Sequence, residues 1–472
     1  MAGFHIEHFG CRAARADGEA LAGRLRALGE RTAFAADVVI VNTCSVTAEA
    51  DRAARAFIRR AHRRNPAAKI VVTGCYAQRA PAELAAMAGV AAVVGNSHKA
   101  LAPEIVLNLA CESGQTAGQP PALVPVASLL AAGGAQAPIW ADDRFAHSFL
   151  EGEQWGGASL APGEQTRPNL KIQEGCGNRC TFCVIPLTRG PSQSLPRRVL
   201  RRRVESFVAA GGKELVLSGI NLGQWGRDLA GPGRETLAGL VREILEETAL
   251  PRLRLSSIEP MDWNGELIAL LREFGGQRLA RHAHLPLQSG SDAVLRRMHR
   301  RYRPWHYAEK VEALCRAAGP ELTLGADAMV GFPGETDGEF AETVEFLRAL
   351  PFGYLHLFPF SPRPGTPGWE LHSADQVAAE IVEERMAVLR ALAGEKTAAH
   401  RGQFVGRTLE AITLHTPSAV AARGATAALT ENFLPVEVAG SFAANEFLRV
   451  RVHGLGGDGR LECATEKAAV LQ

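Results

Sequence analysis

The sequence predicts an α/β protein in three parts: a parallel N-terminal sheet, a longer parallel barrel or partial barrel, and a small closing β-barrel. Three observations predict this. Short β-branched runs alternate with Ala/Arg/Leu-rich helical stretches over residues 1–110, six strand-like runs recur at even spacing from Asn169, and short alternating strands end the chain.

In the first part the runs are FHIEHF, DVVIVNT, KIVVTG and VAAVVG. Continuous β-branched strands separated by helices must bury both sides, which indicates a parallel sheet covered on both faces. Residues 111–165 are rich in Ala, Gly, Pro and Gln, and PPALVPVASLLAAGGAQAP reads as a linker or crossing segment. Over 166–400 come LKIQ, ELVLSGI, RLRLSSIE, HAHLPLQS, LTLGADAMVGF and YLHLFPF. Their starts lie roughly 30–45 residues apart, the length of a βα unit. Six such units suggest a partial (β/α)6 barrel with its function at the carboxyl ends of the strands. HSADQVAAEIVEERMAVLRALAGEKTAAH reads as one long helical run. Over 401–472, TLEAITL, PVEVAG and FLRVRVHG read as a small β-barrel.

Composition narrows the function classes. Of 472 residues 46% are hydrophobic and 22% charged, which excludes a disordered chain. No apolar run reaches eighteen residues, and MAGFHIEHFG lacks the basic start and apolar core of a leader, so a cytoplasmic protein with no membrane partner is expected. Nine cysteines, odd in number and clustered or isolated, favour metal or redox chemistry over a disulfide framework. A net charge of +2 excludes a uniformly basic nucleic-acid binder. The positives are nevertheless patchy: Arg59–Arg64, Arg197–Arg203 and Arg296–Arg303 form dense runs. Solvated helix faces look the same, but three such runs favour a polyanionic partner.

The chemistry-bearing stretch is GCGNRCTFC, residues 175–183. Cys176, Cys180 and Cys183 directly follow the first strand of the second part, and closely spaced thiolates suit zinc or an iron–sulfur cluster. A structural zinc site completes four ligands, and no nearby His or fourth Cys does so here. A 4Fe–4S cube on three thiolates leaves one iron open. A second set lies in the first part, where Cys11 follows FHIEHFG, Cys44 follows VVIVNT and Cys75 follows KIVVTG. In a parallel sheet the carboxyl ends share one edge, so residues 33 and 31 apart in sequence can converge. Three separate core cysteines are the plainer alternative.

The Cys176–Cys183 spacing at the first barrel strand resembles the radical S-adenosylmethionine (SAM) superfamily. That resemblance implies that the open iron is chelated by SAM, whose reductive cleavage gives a 5′-deoxyadenosyl radical. It also implies SAM contacts at later strand ends: Ser218 and Gly219 on the second, Ser256 and Glu259 on the third, Gln288 and Ser289 on the fourth, and Asp327 with GFPGET on the fifth. Each alone is ordinary turn chemistry.

Taken whole, the chain resembles the radical-SAM methylthiotransferases. The shared segments are VVIVNTCSVTAEAD, VTGCYAQ, VVG, KIQEGCGNRCTFCVIPLTRGPSQSLP, VLSGINLGQWG, LRLSSIEP, HLPLQSGSDAVLRRMHRRY, GADAMVGFPGET and HLFPFSPRPGTP. The resemblance implies a flavodoxin-like N-terminal domain over 1–110, a radical-SAM barrel over 166–400 and an RNA-binding TRAM-like barrel over 401–472. It implies two 4Fe–4S clusters, with Cys176, Cys180 and Cys183 holding the SAM-cleaving one and Cys11, Cys44 and Cys75 the auxiliary one that carries the transferred sulfur. One SAM methylates that sulfur; a second supplies the radical for an unactivated carbon beyond acid–base reach. The family's substrates are isopentenyladenosine-37 of tRNA, threonylcarbamoyladenosine-37 of tRNA and a ribosomal-protein aspartate. TRGPSQSLP and VLSGINLGQWG look like the threonylcarbamoyl branch. The implied partners are the tRNA anticodon loop and a reductant such as flavodoxin or ferredoxin, acting on a monomer. The rival from another class is a non-catalytic RNA-binding iron–sulfur protein.

Two departures stand out. The family places Asn three residues after its first cysteine, where this chain has Ala14. The tail from Gly402 carries six Lys/Arg against seven Asp/Glu, so the arginine runs, Arg197–Arg203 first, are expected to meet phosphate.

Overall fold

In the computed structural model, residues 3–25, 29–30, 32, 35–113, 136–145, 166–229, 235–457 and 459–466 are described. The chain forms two compact units that interleave in sequence. Unit 1 takes 1–153, 174–193 and 361–369; unit 2 takes 154–173, 194–360 and 370–472.

Unit 1 is built on strands β1 (Gly3–His8), β2 (Gly29–Glu30), β3 (Val38–Thr43), β4 (Lys69–Gly74), β5 (Val90–Gly95) and β6 (Ile139–Trp140). They form one parallel sheet in the order β2-β1-β3-β4-β5-β6. Because side chains alternate along a strand, each β-branched run feeds two cores. Val39, Val41, Ile70 and Val72 pack with Phe57 and Ile58 of the helix Ala48–Arg64. Val38, Ile40, Val71 and Val94 pack on the other face with Leu21 of Arg12–Arg24 and Val106 of Ala102–Ser113. Thr47 caps the helix Ala48–Arg64 by accepting the Ala50 N–H at 3.2 Å. Strand β6 falls inside the stretch read as linker; the rest of PPALVPVASLLAAGGAQAP up to residue 135 lies outside the described residues.

Unit 2 holds the six runs read from sequence: β7 (Asn169–Glu174, its last residue belonging to unit 1), β9 (Glu214–Gly219), β10 (Arg252–Leu255), β11 (His282–Gln288), β12 (Thr323–Val330) and β13 (Phe352–Pro359). A short β8 (Gln193–Ser194) flanks β7. The parallel order is β7-β9-β10 and β11-β12-β13, with the isolated bridge Leu253–Leu279 and the bond from Ile258 N–H to His284 O (3.1 Å) linking the third and fourth. A partial six-stranded parallel barrel results. Leu324, Ala326, Ala328 and Val330 form the fully buried face of β12. On that side Tyr307 of the helix Pro304–Ala318 packs on Phe352. The opposite face carries polar side chains.

The tail closes as β14 (Thr408–Thr413), β15 (Ala425–Thr430), β16 (Pro435–Ala439), β18 (Leu461–Thr465) and β17 (Phe447–Leu455) in barrel order. The Ala-rich β15 and short β18 were not apparent in the sequence, because neither shows a strong apolar/polar alternation. The expected single helix is two, Pro367–Ala374 and Ala379–Gly402. This barrel is seated on the larger one by ion pairs. Arg252 meets Glu410, Arg281 Nε donates to Glu431 at 2.8 Å, and Arg254 Nη2 donates to Thr430 O at 3.2 Å. Phe433, at φ +70°, places its ring 4.3 Å from the His282 ring. The tail's acidic excess therefore has a local cause: Glu410 and Glu431 face the arginines of the larger barrel.

Candidate active site

In unit 1 the carboxyl ends of β1, β3 and β4 are neighbours on one edge, and Cys11, Cys44 and Cys75 stand just beyond them, Cys75 opening the helix Cys75–Arg79. Close approach is possible because residue 10 is glycine. At φ +133° a Cβ there would lie 2.5 Å from Cys44 Cβ. Burial pushes the Cys44 thiol up to about 12, and the charges of Cys75 and Cys11 push the same way. Cys44 and Cys75 are buried and Cys11 is exposed; thiolates close enough to repel one another fit a cationic cluster, which would supply the opposing charge. At Ala14, the Asn42 amide donates to the backbone carbonyl oxygen.

The loop with Cys176, Cys180 and Cys183 also belongs to unit 1, and all three are half-buried. Gly175 admits no side chain: at φ +67° a Cβ would meet Pro191 O at 2.0 Å. The Cys176 N–H donates to Gly190 O (3.1 Å), Cys183 N–H to Cys180 O (3.1 Å), and Asn178 N–H to Cys176 Sγ (3.4 Å).

One buried ion cluster ties the two cysteine sets together. Arg189, fully buried, donates Nε to Cys75 Sγ at 3.2 Å and Nη1 to Glu174 (2.5 Å) and Asp17 (3.2 Å). Lys99 Nζ donates to the same two carboxylates at 3.1 and 2.7 Å. Two cations and two carboxylates thus balance, which a dry interior requires. Asn96 Nδ2 adds a second donor to Cys75 Sγ at 3.4 Å. Glu174 and Arg189 are the two ends of the Cys176–Cys183 loop. Sequence reasoning missed Arg189, Asn96, Lys99 and Asp17, although Asn96 stands just past β5 on the cysteine edge.

In unit 2, Ser218 and Gly219 end β9, Ser256 follows β10, and Gln288 ends β11. The Oγ atoms of Ser218 and Ser256 and Oε1 of Gln288 are buried without a hydrogen-bond partner among the described residues. Gln288 also holds φ +71° at a register shift in β11, a strained backbone of the kind found at ligand sites. These orphaned polar atoms fit a polar ligand such as SAM. Glu259 accepts from Arg300 Nη2 at 2.6 Å, and the Ser289 hydroxyl bonds Thr343 Oγ1 at 2.9 Å, so both are engaged within the protein. Asp327 lies inside β12, three residues before its end rather than in the adjoining loop, between His284 and His356. Of the favoured arginine run, Arg197 pairs with Glu243 (2.7 Å) and Arg201 with Glu247 (2.5 Å), while Arg198 and Arg202 are exposed.

Residues 3–95 match the uncharacterized protein family UPF0004, and 170–347 match the Radical SAM superfamily. The threonylcarbamoyladenosine tRNA methylthiotransferase MtaB of Bacillus subtilis is 35% identical over 416 residues, covering 87% of this chain and 85% of that protein. The chain belongs to the radical-SAM methylthiotransferases. MtaB of Aquifex aeolicus is 33% identical to this methylthiotransferase over 95% of its length and 99% of the relative. The tRNA-2-methylthio-N(6)-dimethylallyladenosine synthase of Erythrobacter litoralis is 33% identical, covering 87% and 86%. Among solved structures, the radical SAM methyltransferase TsrM of Kitasatospora setae, with cobalamin and a 4Fe–4S cluster bound, superposes with a TM-score of 0.55. At 17% identity over 79% of this methylthiotransferase and 78% of TsrM, that is a likeness of fold. No helix among the described residues is long and apolar enough to cross a membrane.

Proposed function

We propose that this methylthiotransferase converts threonylcarbamoyladenosine-37 of tRNA to its 2-methylthio derivative, with two SAM molecules and two 4Fe–4S clusters. The observation that carries this reading is the buried bridge in unit 1, where Arg189 touches Cys75 and anchors the end of the Cys176–Cys183 loop. Two three-cysteine sets, each one ligand short, then belong to one reaction. The choice of base is supported by relatives named for threonylcarbamoyladenosine at 30–35% identity and by TRGPSQSLP.

When bound, the clusters and SAM supply one-electron cleavage of SAM and a sulfur for transfer. The protein's own residues do the rest. Cys11, Cys44 and Cys75 hold one cluster, and Arg189 and Asn96 donate to a ligand sulfur of it, the kind of contact that tunes a cluster's potential. Cys176, Cys180 and Cys183 hold the other on a loop fixed by Gly175 and Gly190. Ser218, Gly219, Ser256 and Gln288 offer polar contacts to SAM. Arg198 and Arg202 are the exposed cations of their run for phosphate, and the TRAM-like barrel recognises RNA by shape. The protein acts in the cytoplasm as a monomer, with a low-potential reductant of the flavodoxin or ferredoxin type.

Mass spectrometry of tRNA nucleosides from cells with and without the gene tests this. Loss of 2-methylthio-threonylcarbamoyladenosine with accumulation of its parent is expected. Loss of the isopentenyl product instead would move the protein to the sister branch. No change in either would sink the tRNA reading and point to the ribosomal-protein substrate.

A further inference from the structure

Three side chains on the polar face of β11-β12-β13 remain unused by the proposal above. His284, Asp327 and His356 offer ligand atoms that all lie within 4.8 Å of one another. Asp327 Oδ1 is 3.2 Å from His284 Nε2 and 3.2 Å from His356 Nδ1, so one carboxylate oxygen serves two imidazoles. The second nitrogen of His284 is engaged as well, 2.7 Å from Ser257 Oγ. Ser257 directly follows Ser256, whose buried hydroxyl is one of the orphaned atoms assigned to SAM. The group is thus one residue along the chain from an atom assigned above to SAM.

The two histidines differ in what they can still do. His284 is 5% exposed; its Nδ1 bonds Ser257 Oγ, while its Nε2 faces Asp327 Oδ1 without a hydrogen bond among the described residues. His356 is 57% exposed, its Nδ1 faces Asp327, and no bond among the described residues engages its Nε2. Its ring packs at a tilt against Tyr354, centroids 5.1 Å apart, and against His284 at 5.2 Å. Tyr354 is itself fixed by a 2.8 Å bond between its hydroxyl and His282 Nε2, with Phe433 of the C-terminal barrel against both rings. An imidazole oriented by a carboxylate on one nitrogen presents the other in a fixed direction. Burial alone would raise the Asp327 carboxyl, but the two imidazoles hold it well below the usual carboxylate range, so it faces them as an anion.

The chemistry of the competing bases makes this arrangement informative. A threonylcarbamoyl substituent ends in a carboxylate; an isopentenyl substituent has no acceptor. A site that donates to a substrate acceptor favours the base that carries one, because only that base completes a charge-assisted hydrogen bond. We propose that His356 Nε2, positioned by Asp327 and Tyr354, binds the carboxylate of the threonylcarbamoyl substituent and selects that base. A chelated metal ion is the other use of two histidines and a carboxylate. The observations favour the anion: His356 turns its Nδ1 to Asp327, which leaves its exposed Nε2, outside that contact, to meet a substrate acceptor.

This inference rests on the threonylcarbamoyl reading, and its test separates the two. Anaerobically reconstituted holoenzyme is titrated with two anticodon stem-loop RNAs, one carrying threonylcarbamoyladenosine-37 and one its carboxyl methyl ester. The wild type should bind the free acid about tenfold or more tightly, the scale of one charge-assisted hydrogen bond. His356→Phe, which keeps a ring on Tyr354, should bind both alike. His356→Gln, which restores an amide donor, should recover part of the preference. A preference that survives His356→Phe overturns the site while leaving the substrate reading intact. Equal binding of both RNAs by the wild type also overturns it, as does stoichiometric Zn2+ uptake that His356→Phe abolishes. Wild-type enzyme that methylthiolates an isopentenyladenosine stem-loop and not the threonylcarbamoyl one would instead overturn the substrate reading.

Discussion

Glu214→Gln tests how the C-terminal barrel is held. Glu214 is fully buried at the start of β9, and its two oxygens meet Arg254 Nε at 2.8 Å and Arg252 and Arg167 Nη1 at 3.2 Å each. Burial alone would raise its carboxyl, yet Arg254, Arg167 and Arg252 hold it at about 2 against an ordinary 4.5. That depression corresponds to about 3 kcal/mol of folding stability. Since the folded value is the lower one, the contribution is complete above pH 4.5 and disappears as the pH falls toward 2. Glutamine keeps the shape and removes the charge. It leaves Arg252 and Arg254, each 1% exposed, without their central counter-charge, and breaking a buried pair this way costs about 3–5 kcal/mol. The two routes agree on about 3 kcal/mol or more. Because the same arginines reach Glu410 and Thr430 O, the C-terminal barrel should loosen together with the strand. Urea denaturation at pH 7, followed by emission of the buried Trp225 and Trp263, reads the loss directly. A loss below about 1 kcal/mol would show that solvent or rearrangement neutralises these arginines, and would refute the reasoning.

Cys180→Ala should abolish SAM cleavage, whereas Cys75→Ala should leave cleavage and stop sulfur transfer; product from the second variant would contradict the assignment of the β1/β3/β4 edge. Gly10→Ala, whose methyl group collides with Cys44 Cβ, should lower iron content to about half while SAM cleavage persists, as measured by iron analysis beside 5′-deoxyadenosine yield. Arg189→Gln removes one of two cations from a buried four-charge cluster and should destabilise unit 1 by about 3 kcal/mol, with iron lost from both sites on gel filtration. Burial, with help from Arg401, pulls the His400 imidazole down to about 4, so stability is whole above pH 6.5 and falls as the pH drops toward 4. Between pH 6.5 and 5 the loss should be about 2 kcal/mol, and His400→Gln should flatten that slope in urea midpoints.

Much of this was legible along the chain because its signals are local. The β-branched runs 38–43, 69–74 and 90–95 had to be inner parallel strands, since only a sheet covered on both faces buries nearly all of their residues. The cysteines were legible for the same reason: each follows a strand, and parallel strands bring their ends to one edge. The strands Ala425–Thr430 and Leu461–Thr465 were not legible, because Ala-rich or very short segments become strands only through their barrel neighbours.

The sequence by itself determined the strand rhythm, the spacing of its cysteines and the family it resembles, because motif spacing and hydrophobic period are properties of the chain. Which charges meet was decided only in three dimensions. Arg189 and Cys75 are separated by 114 residues, Arg254 and Thr430 by 176, and His356 and Asp327 lie on adjacent strands with a whole helix between them. Interactions of this kind depend on distance and burial, and neither can be read from residue order. The tertiary structure turned an exposed-looking arginine into a sulfur's hydrogen-bond donor, acidic tail residues into the seat of a barrel, and two ordinary strand histidines into a pair held by one carboxylate.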